Sequence, residues 1–175
     1  MNEMTDTDRT GRLFFGLWPD DEVARRLQQS QLPLEGGRQT HIKDFHLTLA
    51  FLGVQSAGML PDLKRIVDET PFSAMPLTLD RYGEFRRQQV VWAGLGTVPE
   101  ALYEFRLRLL DMPALSSLSF RREATFVPHV TLARKTGVPG AVFEPIMWRA
   151  SRMVLAESVG GDAVPRYRIL ACRNV

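Results

Sequence analysis

Two short segments of this chain share a pattern suited to acid–base chemistry. Residues 46–50 read His46-Leu47-Thr48-Leu49-Ala50, and residues 129–133 read His129-Val130-Thr131-Leu132-Ala133. Two of the three histidines in 175 residues therefore stand in one repeated motif. An unperturbed imidazole titrates near ~6.5, so two of them can supply a general acid and a general base near neutral pH. Displacement at phosphorus uses both: one takes a proton from water, and the other protonates the leaving oxygen on the far side. Threonine hydroxyls can donate to the non-bridging oxygens, where charge builds in the transition state.

The spacing is that of a β-strand, on which residues i and i+2 share a face. His46 then lies beside Thr48 and His129 beside Thr131, while Leu47, Leu49, Val130 and Leu132 point the other way. The apolar face is expected to be buried under helices. The polar face is expected to open on a cleft, because a buried polar pair needs partners. If the two segments face each other, two imidazoles and two hydroxyls converge on one pocket. Arg134 follows the second motif. Strict alternation turns it away from His129, so a place in the site requires a bulge or the end of the strand.

No metal site is expected. Neither motif has a histidine or carboxylate at i+2 or i+4, and the single cysteine, Cys172, lies far along the chain. One cysteine also excludes an internal disulfide. His41 sits in a loop-like stretch and reads as surface. Phe45, Phe51, Trp92 and Phe126 are each candidates either for the core or for stacking a base.

Around the motifs the chain reads as two similar halves. Leu13 to Leu17 is a short buried strand, and Pro19-Asp20-Asp21 opens a helix with Val23, Ala24 and Leu27 at helical spacing. A strand is predicted from about Phe45 to Phe51, ending at Gly53. A helix is predicted over 60–69, then a strand from Leu77 towards Phe85. The order begins again at Val90–Leu95, followed by a helix from Pro99-Glu100 carrying Leu102, Phe105, Leu109 and Leu110. Strands then follow at about 130–133, 147–157 and 166–171. Neither half would bury much alone, so the two should pack together.

The formal net charge is only +2, from 22 basic and 20 acidic residues. The basic residues are mostly arginine, with only Lys43, Lys64 and Lys135 as lysines, and they cluster at Arg86-Arg87, Arg121-Arg122 and Arg166/Arg168/Arg173. Arginine forks match phosphate geometry, which favours a phosphate-bearing partner. The low net charge argues against tight binding to long duplexes. Residues 1–10 are polar and read as a disordered tail, and 11–175 as a single bilobal domain. No secretory signal or membrane span is predicted, so a soluble cytoplasmic monomer is expected.

The motifs, "HLTLAFLG" at 46–53 and "HVTLAR" at 129–134, resemble those of the two-histidine phosphoesterase superfamily. "RLFFGLWP" at 12–19 and "QQVVWAGL" at 88–95 are similar to its bacterial RNA 2′,3′-cyclic phosphodiesterases. The resemblance runs from about Arg12 to Leu170. It implies an α+β, bilobal fold with two antiparallel β-sheets and outer helices around a central cleft, duplicated about a pseudo-two-fold axis. It implies metal-free, cofactor-free opening of a 2′,3′-cyclic phosphate at an RNA end or nucleotide to a 2′-phosphate; the alternatives are 2′-5′ joining of RNA ends or hydrolysis of a small cyclic nucleotide at the same site, or a non-catalytic module that binds RNA ends. By the resemblance His46 is the proton donor to the leaving 3′ oxygen and His129 the proton acceptor that activates water. Thr48 and Thr131 are the phosphate-binding hydroxyls, and Arg134 matches an arginine that holds substrate. The chain departs from the family at its short C-terminal ending, after "ESVGGDAVPRYRIL".

Overall fold

The apolar runs at Leu13 and Val90 each begin a strand–helix unit that the chain builds twice. The computed structural model describes residues 8–175. The first half contains β1 (Arg9–Leu17), α1 (Asp21–Ser30), the two-residue β2 (Arg38–Gln39), β3 (Leu47–Ser56), α2 (Leu60–Glu69), β4 (Met75–Leu79) and β5 (Arg81–Phe85). The second contains β6 (Val90–Gly94), α3 (Glu100–Leu110), the short α4 (Pro113–Ser116), β7 (His129–Arg134), β8 (Ile146–Ala150), β9 (Arg152–Ser158) and β10 (Tyr167–Asn174). Asp20 starts α1 by accepting the Val23 N–H, and Asp21 and Glu22 suit the positive end of the helix. Helices α1, α2 and α3 bury Val23, Leu27, Leu63, Ile66, Leu102 and Phe105 in one core with the inward residues of β1, β3 and β7.

Two antiparallel sheets result, as expected. The larger runs β10-β9-β1-β3-β7-β6-β5, with β2 added against β7, and the smaller pairs β4 with β8. The order is symmetric about the β3–β7 junction: β9-β1-β3 on one side matches β5-β6-β7 on the other. That junction is one residue pair, Leu47 opposite Val130, the second residue of each motif. The small sheet is centred in the same way on Leu77 opposite Trp148. The two-fold relation therefore exchanges His46 with His129. It also interlocks the halves, because β5 joins β6 and β9 joins β1. Each lobe thus borrows a strand from the other half of the chain.

Both motif strands carry a bulge at the same place. Phe15 faces Ala50 and Gly16 faces Thr48, so Leu49 is the extra residue. Val91 faces Ala133 and Trp92 faces Thr131, so Leu132 is the extra residue. Leu49 and Ala50 both enter the core, as do Leu132 and Ala133. Alternation resumes one residue late, which returns Phe51 to the face of Thr48 and Arg134 to the face of Thr131. The condition for Arg134 to join the site is met.

Some boundaries differ from expectation. Arg9 and Thr10, expected in a disordered tail, open β1: Arg9 pairs with Ser56, and the Thr10 hydroxyl accepts the Gln55 N–H and donates to the Gln55 carbonyl. Residues 1–7 of that tail lie outside the described residues. Strand β3 continues past Gly53, which takes the left-handed conformation (φ +67°), as far as Ser56. The strands expected from Leu77 towards Phe85 and over 147–157 each divide, at Asp80 and Ser151, because their two parts join different sheets. Among the described residues no helix is long and apolar enough to cross a membrane.

The Trp92 ring is pinned over two glycines. A Cβ on Gly83 would lie 2.0 Å from that ring, and one on Gly94 2.3 Å. Gly83→Ala is expected to destabilise the protein by about 1–3 kcal/mol through overpacking. Urea unfolding checks this, and an unchanged midpoint would show that the ring moves freely.

Candidate active site

The bulged strands deliver His46, Thr48 and Phe51 from one lobe, and His129, Thr131 and Arg134 from the other, to one cavity of about 310 Å³. All five residues singled out by the motifs are thus brought together. The two-fold relation makes the histidines face the cavity in the same way. His46 Nδ1 lies 2.7 Å from the Asp44 carbonyl, and His129 Nδ1 lies 2.6 Å from the Val127 carbonyl. A carbonyl only accepts, so in each ring Nδ1 carries the proton and Nε2 keeps its lone pair. Neither threonine hydroxyl makes an intramolecular hydrogen bond among the described residues. Both are left for a ligand.

Aromatic rings wall each imidazole. Around His46, Trp18 stacks at 5.1 Å, Phe14 lies tilted at 4.7 Å, and Tyr167 presents its edge relationship at 4.8 Å. Burial in this box lowers the His46 pKa from 6.5 to about 4. The Asp44 carbonyl partly offsets that, and the charges of His129 and Arg134 push it further down. Phe85 and Trp92 flank His129 at 4.9 and 5.7 Å. Burial lowers its pKa too, opposed by the Val127 carbonyl and assisted by Arg134. The electrostatic coupling between the imidazoles means that a proton on one disfavours a proton on the other.

The model of the 2′-5′ RNA ligase superfamily matches residues 19–164. The chain belongs to that superfamily. The RNA 2′,3′-cyclic phosphodiesterase of Escherichia coli (strain K12) is 33% identical over 126 residues, spanning 70% of this chain and 71% of the relative. That of Aeropyrum pernix is 30% identical over 131 residues, spanning 73% and 72%. The crystal structure of E. coli LigT complexed with 3′-AMP is similar with a TM-score of 0.77 at 27% identity, covering 94% of this chain and 98% of that one.

The surroundings of this superfamily member's cavity also include residues that the motifs do not reveal. Asp44 is buried, and its carboxylate accepts the Arg166 N–H at 3.0 Å and the Tyr167 N–H at 3.3 Å. One residue thus positions His46 through its carbonyl and the start of β10 through its carboxylate. Phe14 and Trp18 belong to an unbroken apolar run, where nothing marks one face as cleft. The alternation of 14, 16 and 18, along β1 and into the residue that follows it, was the available signal. Of the four candidate stacking aromatics, Phe45 is wholly in the core and Trp92 backs His129, whereas Phe51 is half exposed in the cavity. Phe126 lines a second cavity. His41 is exposed at the cavity rim and accepts the Lys43 N–H. Among the described residues no group of three or more metal-binding side chains is gathered, and Cys172 is exposed on β10.

The caged histidine ties stability to pH. The unfolded chain binds a proton at His46 below ~6.5 and the folded chain only near 4, so stability present above ~6.5 is lost as pH falls through that window. His46→Asn is expected to flatten the dependence of unfolding free energy on pH between 4.5 and 6 by about 1.4 kcal/mol per pH unit. Denaturant titrations at several pH values measure it. An unaltered slope would mean that His46 titrates normally in the folded protein.

Proposed function

We propose that this chain hydrolyses the 2′,3′-cyclic phosphodiester at an RNA or nucleotide end to a 2′-phosphomonoester, with His46 as proton donor and His129 as proton acceptor. One observation carries the reading: two imidazoles related by a two-fold axis expose Nε2 to the same cavity, beside two free threonine hydroxyls and an arginine. The names of the relatives support the substrate class. The cleft is formed within one chain, which suits a monomer.

In the proposed reaction His129 Nε2 takes a proton from water as the water oxygen bonds to phosphorus. The bond from phosphorus to the 3′ oxygen breaks on the opposite side, and His46 Nε2 delivers a proton to that oxygen. The product carries a 2′-phosphate and a 3′-hydroxyl. The active enzyme therefore holds one proton on the histidine pair, and solvent restores it to His46 after each turnover. Thr48 and Thr131 donate to the non-bridging oxygens, and Arg134 balances the charge that accumulates there. None of these steps calls on a metal or cofactor. Phe51 offers an apolar face to the nucleobase.

A low His46 pKa makes its protonated form a strong acid and keeps that form scarce in the free enzyme. A bound phosphodiester anion facing Nε2 favours the protonated imidazole and raises the pKa again. The alkaline limb of kcat/KM, which reports loss of the shared proton, is expected below pH ~6.5, with the profile of kcat shifted to higher pH by the bound anion. An alkaline limb of kcat/KM above pH ~7.5 would contradict this.

Incubation with an oligoribonucleotide ending in a 2′,3′-cyclic phosphate, in excess chelator, tests the function. The expected product is a 2′-phosphate. His46→Ala and His129→Ala are each expected to lower kcat by about 10²–10⁴ without unfolding the protein. Full activity in either variant, or activity abolished by chelator and restored by metal, would overturn the reading.

A further inference from the structure

A second chamber adjoins the catalytic one. It has a volume of about 420 Å³ and shares Thr48, Phe51, His129, Thr131 and Arg134 with the first. His46, Arg166 and Tyr167 line only the first chamber, while Arg106, Arg121, Arg122 and Phe126 line only the second. The face bearing the threonines is therefore a divide, with open space on both sides. A substrate longer than one nucleotide could fill both sides.

The second chamber has the make-up of a site for nucleic acid. Its wall combines four arginines with one carboxylate, Glu123, and none of the four lies within 4 Å of a carboxylate oxygen among the described residues. Other surface arginines do pair, such as Arg65 with Asp62 and Arg168 with Glu157. Arg106 is fixed: its Nε donates to the carbonyl of Leu49, the bulge residue of β3, at 2.9 Å, and its guanidinium lies 4.5 Å above the Phe126 ring. Arg122 rests 4.9 Å over Phe120 and donates to the Leu110 carbonyl at 3.1 Å. Arg121 is exposed. Aromatic faces interleaved with unpaired guanidinium groups suit alternating bases and phosphates.

We infer that this second chamber binds the RNA strand upstream of the reacting end, at least its penultimate nucleotide, and so makes the enzyme favour oligoribonucleotides over mononucleotides. The inference rests on the function proposed above, and it assigns Arg121, Arg122 and Phe126 to substrate length selection. Arg121 and Arg122 hold the upstream phosphates, and Phe126 offers a face to a base. Arg106 keeps the chamber wall against the first motif.

The test compares kcat/KM for a nucleoside 2′,3′-cyclic phosphate with that for oligoribonucleotides of two to six residues carrying the same terminal group. The wild-type protein is expected to favour the longer substrates by about tenfold or more, with the gain falling as salt rises. The double variant R121A/R122A is expected to lose most of that preference while hydrolysing the mononucleotide at the wild-type rate. Phe126→Leu, which keeps the apolar volume, is expected to reduce the preference in part. Rates independent of length, or a preference that survives R121A/R122A, would overturn the inference. So would a defect confined to the joining of a separate 5′-hydroxyl strand. Failure to hydrolyse any substrate of the series, oligoribonucleotides included, would instead strike at the proposed function, so the two failures are distinguishable.

Discussion

The cleft depends on a single junction. Strands β3 and β7 meet only where Leu47 faces Val130, and each of these residues follows a motif histidine directly. Because the same position of each motif meets its counterpart there, everything one motif presents to the cleft the other presents from the opposite side. A longer ladder between the strands would have closed the sheet flat across the site. A single pair lets the lobes diverge and leaves space for a ligand between the two His/Thr faces. The buried leucine and valine side chains anchor this junction in the shared core.

Symmetry supplies the pair, and departures from it give the two imidazoles different surroundings. The matching bulges put Phe51 in one lobe where Arg134 stands in the other. One lobe thus offers an apolar surface and the other a charge, as a nucleotide with a base and a phosphate requires. The aromatic walls differ as well. Phe14, Trp18 and Tyr167 enclose His46, whereas Phe85 and Trp92 flank His129. Two imidazoles of the same type therefore meet different desolvation, the means by which one kind of side chain is fitted to both acid and base work.

Much of the site was legible because it is written in local residue order. The His-x-Thr spacing placed each pair on one face, and the repeat placed the pairs in related settings. Helix α2 at Leu60–Glu69 was legible for the same reason, with its apolar stripe of Leu63, Ile66 and Val67. The bulge at Leu132 was not legible, since two successive core residues leave the composition of a strand unchanged, and Arg134 depended on it. The division of β4 from β5 and of β8 from β9 was hidden because an extended chain can change sheets without a glycine or proline to mark it. Asp44 and Tyr167 lie far apart in sequence and meet only because the Asp44 carboxylate accepts the Tyr167 N–H, which brings β10 to the cleft. No local pattern announces such a pair.

The proposed mechanism requires that the two histidines act on opposite sides of one phosphorus atom in a single displacement. The stereochemical course at phosphorus measures this directly. A nucleoside 2′,3′-cyclic phosphorothioate of known configuration, hydrolysed by the enzyme in isotopically labelled water, yields a chiral product whose configuration can be assigned. A single in-line displacement gives inversion. Retention would mean two successive displacements through a covalent intermediate on the protein, and would contradict it.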